Sequence, residues 1–304
     1  MTAPRDDTHD THDARDAVCD DHALDDALDE ALAPAIMALA GRRVAVLTGA
    51  GVSTASGIPD YRGEGTRQRA RNPVRFALFT SDPRARRRYW ARAFLGWPRI
   101  RDAQPNACHA ALAALERAGR LTGVVTQNVD GLHTRAGSVR VTELHGALAD
   151  VVCLSCGRVC ARDDVQERLA RANPGFQEAA ARALAHAPDG DVDLDDALVE
   201  GFVSVACAAC EGALKPRVVF FGENVDRRVL DDAWRVVDES QALLVLGSSL
   251  EVYSGRRFVD AAHKRAMPVV VVNQGKTRVD DTVTVRVFAD VSRAMTRLLP
   301  ALTS

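Results

Sequence analysis

The sequence predicts an α/β fold built on a Rossmann-like, doubly wound parallel sheet, and three observations support this class. Short, continuously apolar runs are typical of strands buried on both faces. Segments with helical spacing separate these runs, and helix-connected strands of one sheet run parallel. Glycine, hydroxyl or amide residues follow several runs, where α/β proteins bind their ligands. The predicted strands of this core are residues 44–48, 121–126, 139–144, 217–221, 242–246, 268–272 and, at one edge, 283–288.

The composition restricts the class of protein. With 304 residues, 47% of them hydrophobic, the chain has the size of one large domain, with or without a small satellite domain. The net charge of -2 predicts no general affinity for nucleic acid or anionic membranes. The sequence shows no apolar run of roughly 20 residues and no secretory or mitochondrial leader pattern. We therefore expect a cytoplasmic protein without nucleic-acid or membrane partners. A monomer is also expected, but no sequence feature determines the oligomeric state.

The first segment is rich in aspartate. Residues 1–30 bury too little apolar surface to offset their ordering entropy, and they are predicted to form a disordered acidic arm. Apolar spacing predicts a helix from Leu24 to Leu39, weakened by Pro34 and ended by Gly41. The Rossmann-like domain is expected to comprise the two stretches 31–150 and 214–304.

A glycine turn follows the first predicted strand. Gly49, Ala50 and Gly51 carry little or no side chain, so the backbone can approach a pyrophosphate, and the next helix would direct its N–H groups at that charge. Ser53 and Thr54 continue the turn. Because Thr54 replaces the third glycine of the hydride-transfer fingerprint, and no strand ends in an acidic residue about twenty positions later, the sequence disfavours a dehydrogenase.

The second predicted strand leads into a dense polar motif. Gln127, Asn128 and Asp130 follow directly, and His145 comes shortly after. Buried amides and carboxylates need hydrogen-bonding partners, so packing alone does not call for them here. One interpretation is a catalytic site, in which His145, with an unperturbed pKa of about 6.5, acts as a base near neutral pH. The other is a turn in which Asn128 and Asp130 bond to their own backbone.

Two cysteine pairs indicate a structural zinc ion. Cys153 and Cys156, and Cys207 and Cys210, each have the Cys-x-x-Cys spacing that presents thiolates tetrahedrally to zinc. Four protein thiolates leave no open position for water, so the ion would be structural. Cys160 is a possible competing ligand. The alternative, a set of core thiols, fits poorly with polar, glycine-rich flanks. A small zinc-binding domain is thus predicted at residues 151–213.

The region between residues 63 and 104 is predicted to be a helical insertion into the Rossmann-like domain. It is rich in arginine, shows little strand pattern and contains an aromatic string, residues 89–98, that is expected to form the core of a satellite structure. Further helices are predicted from apolar spacing at residues 106–121, 165–172, 176–187, 231–239 and 292–299.

Several motifs in fixed order resemble the sirtuins, a family of NAD-dependent protein deacylases. They are Gly-Ala-Gly-Val-Ser-x-x-Ser-Gly-Ile-Pro-Asp-Tyr-Arg at 49–62, Thr-Gln-Asn-Val-Asp-Gly-Leu-His at 126–133, Leu-His-Gly at 144–146, the two cysteine pairs, Gly-Ser-Ser-Leu at 247–250 and Val-Asn-Gln-Gly at 272–275. The resemblance runs from about Arg42 to Leu299, and the string at 89–98 resembles the class II branch. Asp150 departs from the family pattern, in which arginine is frequent.

The resemblance implies roles for individual residues. His145 would be the base, Asn128 would orient ribose and water, and Asp130 with Gln127 would shape the nicotinamide pocket, while the first part of 63–104 would fold over NAD. His133 is treated as structural. The NAD site would comprise Gly49, Ala50, Gly51, Ser53, Thr54, Asp60, Tyr61, Arg62, Gln127, Asn128, Val129, Asp130, His145, Gly247, Ser248, Ser249, Asn273, Gln274 and Gly275. An acyl-lysine peptide would pair with or lie against Val219, Phe220, Phe221, Gly222, Glu223, Leu250, Val252 and Tyr253.

The sequence therefore predicts an NAD-dependent protein lysine deacylase that releases nicotinamide and transfers the acyl group to ADP-ribose. NAD and one structural zinc ion are the expected cofactors, and acyl-lysine proteins are the expected substrates. Two alternatives remain within the resemblance, namely protein mono-ADP-ribosyl transfer and removal of lipoyl or long-chain acyl groups. A third is a non-catalytic NAD-binding sensor, which would release no nicotinamide.

Overall fold

The central sheet has six parallel strands in the order β3-β2-β1-β7-β8-β9. A computed structural model of the protein describes residues 13–60, 74–185, 194 and 196–304. The strands are β1 (Val44–Thr48), β2 (Leu121–Thr126), β3 (Val141–Glu143), β7 (Ala242–Leu246), β8 (Val269–Val272) and β9 (Val285–Val287). This topology confirms the predicted Rossmann-like α/β class, and the bounds of β1, β2 and β7 agree with the apolar runs.

Helices cover both faces of the sheet. In β1, Val44 and Val46 point into one hydrophobic cluster while Ala45 and Leu47 point into another, as the two-residue period of a strand requires. The first cluster includes side chains of α1 (Asp13–Leu39), α4 (Ala107–Arg117) and α11 (Val291–Thr303), and the second includes side chains of α9 (Arg227–Asp238) and α10 (Tyr253–Lys264). Burial on both faces explains why the strands are continuously apolar.

A smaller antiparallel sheet, in the order β5-β4-β6, carries the cysteine pairs. Its strands and the helices around it are β4 (Gly146–Cys153), β5 (Val159–Ala161), β6 (Leu214–Val218), α6 (Arg162–Ala172), α7 (Phe176–Ala185) and α8 (Asp196–Gly201). Because β4 begins at Gly146 and β6 ends at Val218, this sheet extends past both boundaries predicted for the small domain, at residues 151 and 213. The strand predicted at 217–221 as part of the parallel core therefore belongs to the smaller sheet. Asp150 in β4 forms an ion pair with Arg217 in β6, with 3.2 Å between Arg217 NH1 and Asp150 Oδ2.

The described part of the insertion 63–104 is helical, as predicted. It consists of α2 (Phe76–Ser81) and α3 (Pro83–Asp102). Trp90 and Phe94 of α3 share a core with Val165 and Leu169 of α6, so α3 packs against the cysteine-bearing domain. Helix α3 thus packs on the core of the smaller domain, and its last residue, Asp102, is followed by α4 on the main sheet.

A proline in α3 explains part of this packing. Pro98 has no N–H, so the carbonyl of Phe94 loses its donor within the helix. Gln166 of α6 replaces that donor, with 2.9 Å between its Nε2 atom and Phe94 O. Arg162, one turn earlier, donates to Ala93 O and lies against the ring of Trp90, 5.2 Å from its centroid. The α3–α6 contact is therefore specific as well as apolar.

The predicted disordered arm is wrong for residues 13–30, because α1 begins at Asp13. Asp25 forms ion pairs with Arg293 and Arg297 of α11, and Leu32 and Leu39 are buried in the first cluster. Hydrogen bonds from these two arginines lower the pKa of Asp25. Asp25 therefore has cationic partners distant in sequence, which composition alone does not reveal. Residues 1–12 lie outside the described part of the chain.

Two local predictions need correction. The glycine turn continues into two short 3-10 turns, Ala50–Val52 and Thr54–Ser56, and not into an α-helix. Strand β6 ends at Val218, because Gly222, at φ +81°, makes a tight turn in which Glu223 N donates to Phe220 O at 2.9 Å. The sequence also did not predict α10 or β4. None of the described helices combines the length and the apolar character that crossing a bilayer demands.

Candidate active site

The predicted site residues converge at the carboxyl ends of three adjacent strands. Gly49 follows β1, Gln127 follows β2 and Gly247 follows β7, and β1 lies between the other two. Asn273 follows β8, the next strand along. Parallel strands bring such segments to one edge of the sheet, so residues more than 200 positions apart become neighbours.

The two glycine-containing turns pack directly against each other. Gly51 N donates to Gly247 O at 2.8 Å, and a Cβ atom at position 51 would lie 2.8 Å from Gly247 Cα. A Cβ atom at Gly49 would lie 2.7 Å from Ser248 Cβ. Such distances are far below van der Waals contact. The glycines at 49 and 51 are thus required by the close approach of β1 and β7, in addition to any phosphate they accommodate.

Ser53 joins the glycine turn to the polar motif. Its Oγ atom donates to Asp130 Oδ2 at 2.7 Å and accepts from Asn128 Nδ2 at 3.0 Å. Asn128 Nδ2 also donates to Gly49 O at 3.0 Å, and the other oxygen of Asp130 accepts from Leu132 N at 2.9 Å. The local-turn interpretation is therefore correct for one oxygen of Asp130. The second oxygen and the Asn128 amide belong to a network that connects β1 with β2.

Gln127 is held on several sides. Its Nε2 atom donates to Ser248 Oγ at 2.8 Å, and its backbone N–H donates to Thr48 O at 2.9 Å. A Cβ atom at Gly255, in the first turn of α10, would lie 2.6 Å from Gln127 Oε1, so a larger residue there would displace the amide from this position. These contacts fix the direction of the backbone carbonyl of Gln127.

The backbone carbonyl of Gln127 determines the tautomer of His145. The Nδ1 atom of His145 lies 2.9 Å from Gln127 O, which can only accept, so Nδ1 carries the proton. Nε2 then has a free lone pair and accepts from the hydroxyl of Ser254, 2.7 Å away. Burial lowers the pKa of His145, and the bond to Gln127 opposes that shift in part. A neutral imidazole with its Nε2 lone pair available is the form that a general base requires.

The other described residues that were predicted to bind the cofactor lie in the segments that follow β1, β2, β7 and β8. Thr54 is exposed and donates to Gly51 O, while Val129 O accepts from Leu148 N. Asn273 Nδ2 donates to Gly275 O at 2.8 Å. Asp60 is half-buried, Gln274 is exposed, and Ser249 O accepts from Arg278 N at 3.1 Å. Tyr61 and Arg62 lie outside the described residues.

Arg286 stabilises the loop that contains Asn273 to Gly275. Its guanidinium donates to the carbonyls of Asn273 and Gly275, and its Nε atom lies 2.7 Å from Asp280 Oδ1 in a mostly buried ion pair. Burial opposes ionisation of Asp280, but hydrogen bonds from Thr277 and Arg286 lower its pKa overall. The loop therefore has a defined shape.

The predicted peptide-binding segments are only partly exposed. Phe221 and Tyr253 are 50% and 57% exposed, and Val252 is exposed as well. Phe220 is buried between the rings of Phe79 and Tyr89. Leu250 departs from the expected exposed edge, because its side chain is 1% exposed in the core and its φ of +55° is left-handed. The exposed part of this segment thus begins after Leu250.

A buried ion pair beneath the 219–223 segment was not predicted. Lys215 is 4% exposed, and its Nζ atom lies 2.9 Å from Glu223 Oε2 and 2.6 Å from Val218 O. The same carboxylate oxygen accepts from Phe220 N at 2.8 Å. The pair closes the turn from Val218 to Glu223. The sequence gives no sign that Lys215 is buried, because it precedes a proline and an apolar run. The contact of Ser254 with His145 was also not predicted, because the two residues lie 109 positions apart.

The four predicted zinc ligands form one cluster. Their Sγ atoms all lie within 4.8 Å of one another, with 3.5 Å between Cys153 and Cys210 and 3.9 Å between Cys156 and Cys207. Tetrahedral zinc with Zn–S bonds of about 2.3 Å places sulfur atoms about 3.8 Å apart, so the donor set fits zinc. Backbone N–H groups of Cys156 and Ser155 lower the pKa of Cys153 to about 6, which favours the thiolate. Cys160 is not part of this cluster.

Comparisons with known proteins agree with this geometry. The model of the Sir2 family matches residues 49–254. The chain belongs to the Sir2 family. It is 51% identical over 265 residues, 86% of this chain and 93% of the relative, to a protein of Mycobacterium avium (strain 104) named NAD-dependent protein deacetylase 1. It is 48% identical over 243 residues, 79% of this chain and 76% of the relative, to the Bos taurus protein named NAD-dependent protein lipoamidase sirtuin-4, mitochondrial.

The fold of this chain is also similar to that of a solved Sir2 structure. The structure described as Sir2 with a p53 peptide and NAD+ covers 88% of this chain and 97% of its own, with a TM-score of 0.69 and 30% identity. The Sir2-family match begins at Gly49 and ends at Ser254, so it includes both glycine turns, the polar motif, His145 and the cysteine pairs. Family membership thus rests on the same segments that the fold brings together.

Proposed function

We propose that this Sir2-family chain is an NAD-dependent protein lysine deacylase that releases nicotinamide and transfers the acyl group to ADP-ribose. The arrangement of His145 carries the proposal: its Nδ1 proton is held by Gln127 O, and its Nε2 lone pair faces a hydroxyl at the carboxyl edge of the sheet. The relatives named as NAD-dependent deacetylases support it.

When bound, NAD supplies the bond between ribose and nicotinamide that is broken in the reaction. His145 takes a proton from a ribose hydroxyl at Nε2, and Gln127 keeps the imidazole in the tautomer that can do so. Asn128 and Asp130, held by Ser53, orient the ribose and shape the nicotinamide pocket. The phosphates are assigned to Gly49, Ala50, Gly51, Ser53 and Thr54, and the rest of the nucleotide to Asp60, Tyr61, Arg62, Val129, Gly247, Ser248, Ser249, Asn273, Gln274 and Gly275.

We assign one structural zinc ion to Cys153, Cys156, Cys207 and Cys210. The sulfur spacing supports this assignment, and four thiolates leave no coordination position for a reacting water. The ion would join the end of β4, which carries Cys153, to the segment after α8 that carries Cys207 and Cys210, within the predicted domain 151–213. The Rossmann-like domain predicted at 31–150 and 214–304 is proposed with its inner boundaries moved to residues 145 and 219, because β4 and β6 belong to the smaller sheet.

The acyl-lysine peptide is proposed to bind as an added strand between the turn around Gly222 and the exposed residues Val252 and Tyr253. Exposure of Phe221, Val252 and Tyr253 supports this placement, whereas Val219, Phe220 and Leu250 would contribute from beneath. The Lys215–Glu223 pair fixes the first of these edges. We also retain a cytoplasmic location and a monomeric state as part of the proposal, the latter testable by light scattering.

A panel of lysine peptides carrying acetyl, lipoyl and long-chain acyl groups, incubated with NAD and followed by mass spectrometry, tests the function. We expect nicotinamide and acyl-ADP-ribose to form in equal amounts. NADH, or no change in NAD with any peptide, would contradict the proposal. Transfer of ADP-ribose onto protein would point to the alternative reaction of the same site.

Lipoamidase activity is a second candidate. The relative named as a lipoamidase is almost as similar to this chain as the relatives named as deacetylases, with 48% against 51% identity. The same panel separates the two, because the ratio of kcat/KM for lipoyl and acetyl peptides measures the preference directly. A lipoyl preference of tenfold or more would favour the second candidate.

A further inference from the structure

Two buried histidines next to the site have no place in the proposed reaction. His133 closes the motif that begins at Gln127, and His109 lies in the first turn of α4. The two residues are 1% and 0% exposed, and their ring centroids are 4.8 Å apart. Neither His109 Nε2 nor His133 Nδ1 has a hydrogen-bond partner among the described residues. Two orphaned imidazole nitrogens so close together call for a physical reason.

The tautomer of each ring follows from its other nitrogen. Asn106 N donates to His109 Nδ1 at 3.2 Å, so in the neutral ring the proton of His109 is on Nε2. Thr48 Oγ1 donates to Thr126 Oγ1 at 2.8 Å, so it accepts from His133 Nε2, 3.0 Å away. His133 Nδ1 is then a bare lone pair. One ring thus has an unused donor and the other an unused acceptor.

Each ring is also the end of a chain that leads to the NAD site. From His133, the chain runs through Thr48 to Thr126, whose Oγ1 accepts from Asn128 N at 3.1 Å. From His109, it runs to Asn106, whose Nδ2 atom donates to Val52 O at 2.8 Å and to Ser56 Oγ at 2.9 Å. The first end holds the polar motif, and the second holds the 3-10 turns that follow the glycine turn.

We infer that His133 and His109 are positioning residues, joined by a hydrogen bond from His109 Nε2 to His133 Nδ1. A small ring rotation or one bridging water closes the distance between them. The completed chain fixes Asn128 relative to the 52–56 turns, and so fixes the two sides of the NAD site relative to each other. This inference rests on the proposed function, because it assigns NAD to that site. Burial lowers the pKa of His133 to about 3 and of His109 to about 4, so both rings stay neutral, as the chain requires.

Tautomers can be measured without any turnover. We expect long-range ¹H–¹⁵N correlation spectra of the histidine-labelled full chain, assigned with single variants, to show both rings protonated on Nε2 and unchanged between about pH 8 and pH 5. A His133 ring protonated on Nδ1, or either ring titrating near its ordinary pKa, would overturn the inference. A chain that releases no nicotinamide would overturn the proposed function instead, and these spectra would still test the pair.

Kinetics separate positioning from packing. His133→Leu removes both nitrogens, while His133→Gln keeps an N–H donor for Thr48. We expect His133→Leu to raise KM for NAD about tenfold, the effect of one to two lost hydrogen bonds, with kcat changed much less, and His133→Gln to restore most of that loss. His109→Asn keeps the acceptor for Asn106 N but lacks Nε2–H, and it should also raise KM.

Thr122→Val is the matched control. Thr122 is a buried threonine of the same strand as Thr126, but its hydroxyl donates to Val236 O, away from the site. We expect this variant to lose stability without a change in KM for NAD. Equal effects of Thr122→Val, His133→Gln and His133→Leu on KM would refute a positioning role. If His133→Leu does not fold, a KM for NAD that is raised in His109→Asn and unchanged in Thr122→Val supports the positioning role, and equal KM values in these two variants refute it.

Discussion

His145 is held by two hydrogen bonds that have different consequences for its chemistry. The bond to Gln127 O fixes the proton on Nδ1, and it uses a backbone carbonyl that cannot change its own protonation state. The bond from Ser254 occupies the lone pair that a substrate hydroxyl must reach. A ribose hydroxyl therefore has to displace Ser254 or use it as a partner, and the two single variants below distinguish the base from its neighbour.

We expect His145→Ala to lower turnover by roughly 10²–10⁴, the usual contribution of a positioned acid or base. NAD should still bind, because Ser53, Asn128 and Asp130 remain in place. Nicotinamide release measures turnover, and titration calorimetry measures binding. Unchanged nicotinamide release would remove His145 from the mechanism.

Ser254→Ala should change the pH dependence of the reaction. Burial lowers the pKa of His145 in the native chain, so kcat/KM should fall on the acid side at a pH below about 6.5. A hydroxyl that donates to Nε2 stabilises the neutral ring. Its removal raises the pKa, and the acid limb of the profile should move to higher pH. A limb that stays in place or moves to lower pH would contradict this role, and Ser254→Thr should restore the native profile.

The strands and turns place these residues, and the sequence predicted the strands better than the turns. Strands β1, β2 and β7 are continuously apolar because both faces are buried, so their bounds follow from local pattern. Helix α10 was missed because its first turn, with Ser254 and Gly255, looks like a loop, and its position depends on Gln127 far away in sequence. Lys215 was missed for the same reason, since its burial is set by Glu223.

The contact between the two glycine turns predicts a sharp difference between two alanine variants. Gly51→Ala places a methyl group 2.8 Å from the backbone of Gly247, so β1 and β7 must shift at their carboxyl ends. We expect a loss of about 1–3 kcal/mol in the free energy of unfolding, together with weaker NAD binding. Denaturant titration and calorimetry measure the two quantities.

Gly96→Ala is the control for that variant. Gly96 lies inside α3, and a Cβ atom there meets nothing within 4 Å. Alanine is a better helix former than glycine by roughly 0.5–1 kcal/mol, so this variant should be neutral or more stable. Equal stability of Gly51→Ala and Gly96→Ala would show that the turn contact tolerates a side chain.

At the scale of the whole molecule, α3 links the cysteine cluster to the turn at residues 218–223, the proposed peptide edge. Trp90 of α3 donates to Leu214 O in β6, and Cys153 and Cys207 belong to the same hydrophobic cluster as Trp90. Tyr89, the residue before Trp90, contacts Phe220 with ring centroids 5.2 Å apart. Cysteine spacing predicted that these four thiols cluster, but it could not predict that an insertion earlier in the chain shares their core. Loss of the zinc ion should therefore disturb the packing of α3 and, through it, the proposed peptide edge.

Chelation of zinc is expected to loosen the small domain and α3 before the main sheet. The chain has three tryptophans, of which Trp90 and Trp97 lie in α3 and Trp234 packs on Phe258 beside the main sheet. In a Trp234→Phe variant, chelation should therefore shift the fluorescence to longer wavelength, because the two buried indoles become exposed to water. We also expect a fall in Tm on the order of 10 °C and loss of peptide binding. Cys153→Ser should reproduce these changes and Cys160→Ser should not, because only Cys153 lies in the sulfur cluster. A metal-free chain with unchanged fluorescence and full activity would refute both the structural zinc and the link through α3.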